Sequence, residues 1–586
     1  MNGDLGRRPC QHDRVRLAVA VGLIALPAVV VPATTSAAAQ HCHIGARTLS
    51  APGSRVYPEM GNGGYRSVHT DVHMVYDSGR NRFLRGNHVV LHDRATQCLT
   101  DFSVDFERHS AVNKSAGPDM RIRSVQVNGK TAAWHFARPG VRNHRASQYA
   151  GAACTPELPE GTNNLNSRNG TLCPANKLVI TPATPISSGA DFRVRIAYTG
   201  RPGVHNDGDA TTEGWFRADD GGFVTTEPVG TEDWMPLNDH PSAKPTYDFY
   251  DTVDAGRTAV CNGILVGSTK HKPSKRFPNG STTWRWHAAM PVASYLVENS
   301  VGNYTIKKRT ADNGTYYYEV QDAGINPAAR AANHQVIAMQ QDITEYEALF
   351  NGPFPFRSDG VIVGTPSASF EEEMQTMITF EGGMTDPITL YHENMHQWWG
   401  DNVSEGSFAM TFFKEGMATL GEDLFTARTA ETAAGGPSTP SGQSAFERSL
   451  RQTFDNDYGS GGSFWTHAPS NPTAANLFSS SSTYTRSADT YIALRQILGH
   501  ARFVEALRAI QASYGGRSIT EPQLKGAFRR WLPQPSSSCQ RRLTSFFRQW
   551  FDTPYPPGGG AHRPQITGPG LDGPNFYGHD GCRHAA

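Results

Sequence analysis

The chain predicts two folded parts in series, a mostly antiparallel β domain and then a mostly helical one. Length is the first observation behind this, because 586 residues exceed what one ordinary hydrophobic core organises. The second is a run of short Val-, Ile-, Phe-, Tyr- and Thr-rich stretches up to about residue 305, broken by Gly, Asn and Asp. The third is a change of period near residue 306, after which apolar residues recur at helical spacing. Hydrophobic residues make up 38% and charged residues 18%, as suits a folded globular protein, and the formal net charge is zero. Nothing in that balance draws the chain to nucleic acid or anionic lipid.

The N-terminus reads as an export signal. Arg7, Arg8, Arg14 and Arg16 precede an apolar run from Leu17 to Val31, and an Ala-x-Ala site follows at Ala37 to Ala39. The run is short for a membrane span and Pro27 interrupts it, so residues 1–39 are expected to be a cleaved signal peptide. The mature chain is then expected to be secreted, with no membrane association.

Residues 40–305 form the expected β domain. Ser67 to Tyr76, His88 to His92, Lys177 to Thr181, Phe192 to Tyr198 and Thr282 to Trp286 alternate as half-buried strands do. Residues 139–176 are poor in apolar content and read as a long loop. Seven cysteines remain after signal removal, none in a C-x-x-C spacing, so disulfides are expected in an oxidising compartment. Cys154 with Cys173 would close the polar loop and Cys539 with Cys582 would pin the tail. An odd count leaves at least one thiol free, for which Cys261 is expected, and the sequence does not fix the pairings among Cys42, Cys98, Cys154, Cys173, Cys261, Cys539 and Cys582.

Residues 306–553 form the expected helical domain. Helices are predicted over 335–350, 387–400, 411–429, 486–500, 501–514 and 542–552. Residues 430–483 are rich in Ser, Gly, Pro and Ala and read as an insertion, with a short helix from Phe446 to Phe454. Residues 554–586 form a Pro/Gly-rich tail.

The most informative residues lie on the second and third helices. His392, Glu393 and His396 make an H-E-x-x-H, and Glu415 follows eighteen residues after it. Positions i and i+4 share one helix face, so both imidazoles can reach one ion, with Glu415 as an anionic third ligand. Three protein ligands and one open position describe a catalytic zinc site, whereas a structural site is closed by a fourth. Glu393 is then placed to take a proton from water. Glu422, two turns after Glu415, can accept the remaining N–H of a ligand histidine. The apolar surroundings of Glu371, Glu372 and Glu373 favour at least one of these carboxylates pointing inward. Tyr484, at a helix start, can offer a hydroxyl to an oxyanion. The stretch 225–249, with Glu227, Glu232, Asp233, Trp234, Asn238, Asp239 and His240, reads as a binding loop or a domain contact.

On these residues the chain resembles the aminopeptidase N-like zinc aminopeptidases, a gluzincin family, in a secreted bacterial form. HENMHQWWGDNVS and KEGMATLGEDL resemble the family's metal segments, and YTRSADTYIALRQILG resembles its tyrosine helix. TEPVGTEDWMPLNDHPSAKPTYDF and PVASYLVENSVGNYTI resemble stretches at the edge of its N-terminal domain. The resemblance runs in order from about residue 60 to 515. It implies a β-saddle followed by a thermolysin-like, mostly helical (α+β) catalytic domain, without the large C-terminal helical superhelix of longer relatives. It implies one zinc ion on His392, His396 and Glu415, Glu393 as general base and Tyr484 as oxyanion donor. It also implies Glu373 and Glu227 as the pair that grips a substrate's free α-amine, so that the substrates are peptides with free N-termini. Asn394, Lys414 and Arg486-Ser487 depart from the family pattern. Two other readings stand beside this one: a zinc endopeptidase or other hydrolase without the amine site, and an inactive peptidase-like binding module.

Overall fold

In the computed structural model, the described residues are 42–44, 56–57, 60–108, 117–136, 177–206, 211–368, 370–459, 463–533 and 535–555, all within the unit Cys42–Ala586. The expected signal peptide, most of the 139–176 loop and nearly all of the tail lie outside them. Among the described residues no helix is long and apolar enough to cross a membrane.

The N-terminal half is built from sheets. The largest has ten strands, with Tyr65–His73, His88–Ala95, Asp191–Arg201, Thr246–Asp254 and Ser281–Ala288 at its centre. Its pairings are antiparallel except where Tyr65–His73 runs parallel to Thr246–Asp254. The strict inside–outside alternation of Thr246–Asp254 shows why these segments are strands: every second side chain is buried. A four-stranded sheet includes Leu99–Asp105 and Lys177–Thr181, and a five-stranded one includes Gly222–Thr225 and Asn299–Gly302. One core of Tyr65, Val72, Phe102, Trp215, Trp234, Phe249, Trp286 and their neighbours fills the space between them.

A second four-stranded sheet opens the C-terminal half: Tyr304–Thr310, Tyr316–Asp322, Ser358–Val363 and Ile378–Phe380, the last three parallel. Nine α-helices follow among the described residues: α1 Pro327–Ile337, α2 Gln340–Asn351, α3 Pro387–His396, α4 Thr411–Ala433, α5 Pro440–Gly459, α6 Arg486–Leu498, α7 His500–Tyr514, α8 Glu521–Arg529 and α9 Ser537–Phe547. The fold class read from the sequence is therefore observed, a β-rich first half and a mostly helical second half.

Three elements differ from expectation. The helix predicted over 335–350 is two helices, α1 and α2, of which α1 starts earlier behind an Asn326 cap with Pro at its first turn. The stretch 430–483 is largely structured, since α5 spans Pro440–Gly459. Phe446, Leu450 and Phe454 recur every fourth residue and enter the helical core, so a narrow apolar stripe overrides the polar composition. Cys42 pairs with Cys98, Cys261 is free and buried, and Cys539 is disulfide-bonded. Cys154, Cys173 and Cys582 lie outside the described residues.

Four buried carboxyls in this framework form no ion pair with another described residue. Burial lifts Asp93 and Glu298 to about 8, and Asp251 and Asp359 to about 7, against neighbouring hydrogen-bond donors that oppose the shift. Their folded-state values lie above the unfolded ones, so the stability they contribute is complete below the unfolded range near pH 4. It is lost as pH rises through 7–8. The unfolding midpoint is expected to be higher at pH 5 than at pH 8, and Glu298→Gln to flatten that slope. A midpoint independent of pH across this window in the parent protein would sink the assignment.

Candidate functional site

Helix α3 is amphipathic in three directions, and this sets the site. Asp386 caps it by accepting the N–H of Thr389, and Pro387 opens its first turn. Leu390 and Tyr391 pack toward the Ser358–Val363 sheet, whereas Met395, Trp398 and Trp399 enter the helical core. Trp398 and Trp399 donate to Gly352 O and Asn351 Oδ1, which fixes α3 against the end of α2. The remaining strip carries His392, Glu393 and His396, and it faces a cleft.

Helix α4 brings Glu415 to the same place. Two glycines allow the close approach: a Cβ on Gly421 would stand 3.2 Å from Met395 Cβ, and one on Gly416 only 2.4 Å from Ser487 Cβ. The first contact presses α4 on α3 and the second presses it on α6. Just before α6 a π-helical turn, Ser480–Thr485, carries Tyr484 over the imidazole of His392, with ring centroids 6.0 Å apart.

The resulting triangle has edges of 3.2 Å between the two Nε2 atoms and 3.3 Å from each to Glu415 Oε2. A tetrahedral zinc ion with ligands at about 2.0–2.2 Å has ligand-to-ligand edges of about 3.3–3.6 Å, so these donors fit one. The outer nitrogens are engaged as a metal site requires. His392 Nδ1 meets Glu422 Oε1 at 2.6 Å, and His396 Nδ1 donates to Trp399 O at 2.9 Å.

The cleft in front of the triangle is lined by Glu227, Glu371, Glu373, Glu393 and Tyr484. Of the three consecutive glutamates, Glu371 and Glu373 line the cleft, and Glu372 turns away to accept the N–H of Thr226 at 2.6 Å. Gln397, which no motif had singled out, donates to Glu373 O and accepts from Thr376 N, and so sets the Glu373 segment against α3. Burial, opposed by His392, raises the Glu393 carboxyl well above its usual range. Burial and then the charges of Glu415 and Glu227 hold the Tyr484 phenol well above its usual value, so it remains an O–H donor.

Lys414 is the largest surprise. The sequence marks it only as a departure from a family pattern. In the structure its fully buried ammonium donates to Glu227 Oε1 (2.6 Å), Glu373 Oε1 (2.7 Å) and Glu415 Oε1 (2.6 Å). Burial alone would lower its pKa, but these three carboxylates raise it well above the usual lysine value. Lys414 thus joins a triangle ligand to two glutamates of the cleft lining, Glu227 and Glu373. The other departures also find partners. Asn394 donates to Glu347 Oε2 at 2.7 Å and accepts from Thr344. Arg486 donates to four backbone carbonyls, of Trp465, His467, Gln549 and Thr553.

All eight sequence-selected residues, His392, Glu393, His396, Glu415, Glu422, Tyr484, Glu373 and Glu227, therefore converge on one cleft and its backing. Glu232, Asp233 and Asp239 from the 225–249 stretch lie elsewhere, fully buried in the β half. There Asp233 pairs with His205 at 2.8 Å, and Asp239 accepts the N–H of Glu232.

Comparison with known proteins agrees with the motif resemblance. Residues 384–550 match the Peptidase family M1 domain. Aminopeptidase RNPEPL1 of Mus musculus is 23% identical over 464 residues, covering 72% of this chain and 60% of the relative. Its Homo sapiens counterpart is 23% identical over 346 residues, covering 57% of this chain and 45% of the relative. The chain thus spans about half to three fifths of the length of these relatives. An M1 zinc metallopeptidase from Deinococcus radiodurans has a similar fold, with a TM-score of 0.66 at 21% identity, covering 87% of this chain and 99% of that one. A mutant of that metallopeptidase bound to a Tyr-Ser-Ala substrate superposes equally, with a TM-score of 0.66 at 20% identity and the same coverage.

Proposed function

We propose, for a chain that belongs to the aminopeptidase N-like gluzincins and carries a Peptidase family M1 domain, that it is a secreted zinc aminopeptidase removing N-terminal residues from peptides. One observation carries the reading: the His392–His396–Glu415 triangle opens on a cleft whose lining carries further carboxylates, among them Glu227 and Glu373.

His392, His396 and Glu415 would hold a zinc ion, which when bound would supply Lewis acidity for the scissile carbonyl and for the attacking water. Glu422 and the Trp399 carbonyl keep the two imidazoles turned toward the ion. Glu393 accepts the proton of the attacking water and returns it to the leaving amine. Tyr484 donates its hydroxyl hydrogen to the oxyanion as the carbonyl carbon becomes tetrahedral. Glu227 and Glu373 accept hydrogen bonds from the substrate's α-ammonium and so set which peptide bond reaches Glu393. Lys414 holds both carboxylates from behind.

The test uses aminoacyl-anilides beside their N-acetylated forms. Free-amine substrates are expected to be cleaved and blocked ones not, with activity lost on chelation and restored by zinc. Glu373→Gln is expected to lower kcat/KM on free-amine substrates by about 10–150-fold, the value of a hydrogen bond to a charged group. A second reading draws on Lys414, which already engages one oxygen of Glu227 and one of Glu373. On that reading the cleft hydrolyses peptides without requiring a free amine. Equal cleavage of blocked and free substrates, unchanged in Glu373→Gln, would decide for it.

A further inference from the structure

We propose that the ten-stranded sheet carries a second divalent-metal site, formed by His69, Asp71 and Asp248 on the face turned away from the core. The inference stands apart from the reading of the cleft.

Strand register creates the site. Asp71 on Tyr65–His73 lies directly opposite Asp248 on Thr246–Asp254, at the sheet's parallel seam. Like charges set face to face across a strand pair are destabilising. Among the described residues, these two carboxylates form their ion pairs with histidines. His69 Nε2 points between them, 3.3 Å from Asp71 Oδ1 and 3.5 Å from Asp248 Oδ2, and the three donor atoms all lie within 4.8 Å of one another. Those two edges fall in the range of about 3.3–3.6 Å set by a tetrahedral zinc ion with ligands at about 2.0–2.2 Å, and they nearly repeat the edges of the His392 triangle.

The outer contacts are those of a ligand set. Thr246 Oγ1 holds His69 Nδ1 at 2.8 Å, which leaves Nε2 as the ring nitrogen turned toward the two carboxylates. The second oxygen of each aspartate is also taken, Asp71 Oδ2 by His92 Nε2 at 2.8 Å and Asp248 Oδ1 by His287 Nδ1 at 2.7 Å. The triad side chains are 20–31% exposed, enough for an ion to enter from solvent with water completing its shell. One imidazole with two carboxylates suits zinc or manganese. An ion there would clip the parallel seam, where two strands meet without a connecting turn.

The full chain is dialysed against buffered micromolar free zinc and its bound metal counted by mass spectrometry. Wild-type protein is expected to hold one more ion per chain than His69→Asn or Asp248→Asn, while hydrolysis of aminoacyl-anilides is unchanged in both. A chain with His392→Ala and His396→Ala is expected to retain one ion and to unfold at a higher temperature with zinc than without. Adding His69→Asn to that background should remove both effects. Both sheet substitutions are close in size and sit on half-exposed positions, and circular dichroism checks that the variants fold. Equal metal counts in wild type, His69→Asn and Asp248→Asn would overturn the site. So would a His392→Ala, His396→Ala chain that holds no zinc.

Discussion

Glu393→Gln is expected to reduce kcat on an aminoacyl-anilide by about 10²–10⁴-fold, the range for losing a positioned general base, while leaving bound zinc unchanged. The argument is geometric. Glu393 shares the cleft-facing strip of α3 with both imidazoles, yet the triangle is closed by Glu415, so the ion does not depend on the Glu393 carboxyl. Glutamine keeps the shape and loses the ability to accept and return a proton. KM should change little, because Glu393 is not assigned to the amine. Metal counting beside steady-state kinetics checks both halves. A variant that keeps its turnover, or one that loses its zinc with it, would remove Glu393 from the role of base.

Lys414→Met is expected to be the most destabilising single change around the cleft. The ammonium is fully buried and touches three carboxylates, and methionine fills a similar volume without charge. Breaking a buried ion pair by removing one partner costs about 3–5 kcal/mol, because the charges left behind have no compensation. Glu415 also contacts the metal position, so a bound ion offsets part of the loss. The variant should therefore fall far below the parent in unfolding midpoint when chelated, and the gap should narrow with zinc. Equal midpoints in the chelated proteins would show that the three carboxylates are neutralised in some other way.

How much of this was legible in sequence follows from how local each signal is. His392, Glu393 and His396 fall within five residues, and Glu415 at a fixed distance, so spacing alone assembled the triangle. Glu422 was legible for the same reason, being two turns from Glu415 on one face. Tyr484, Glu373 and Glu227 come from separate elements; local sequence marked Tyr484 and the stretches that hold the two glutamates, and resemblance alone gave Glu373 and Glu227 their role toward the amine. The role of Lys414 was out of reach, because its partners lie on the 225–249 stretch, on the segment before α3 and beside it on α4. Only packing brings those together. Asn394 looked like a flaw in an apolar helix until Glu347 appeared beside it, a residue of α2 that no local pattern links to α3. The Cys42–Cys98 pairing was equally illegible, since seven cysteines admit many pairings and only the strand layout selects one. Helix α5 was half legible, its stripe of Phe446, Leu450 and Phe454 visible but its length hidden under serine and glycine.

The four carbonyls gathered by Arg486 tie together distant parts of the chain. Two come from the stretch before the Tyr484 turn and two from residues 549 and 553, so one guanidinium fastens the approach to α6 onto the segment after α9. Arg486 stands two residues from Tyr484. The turn that presents Tyr484 to the cleft therefore leans on backbone 63 and 67 residues further along the chain, so a change there reaches the cleft through Arg486.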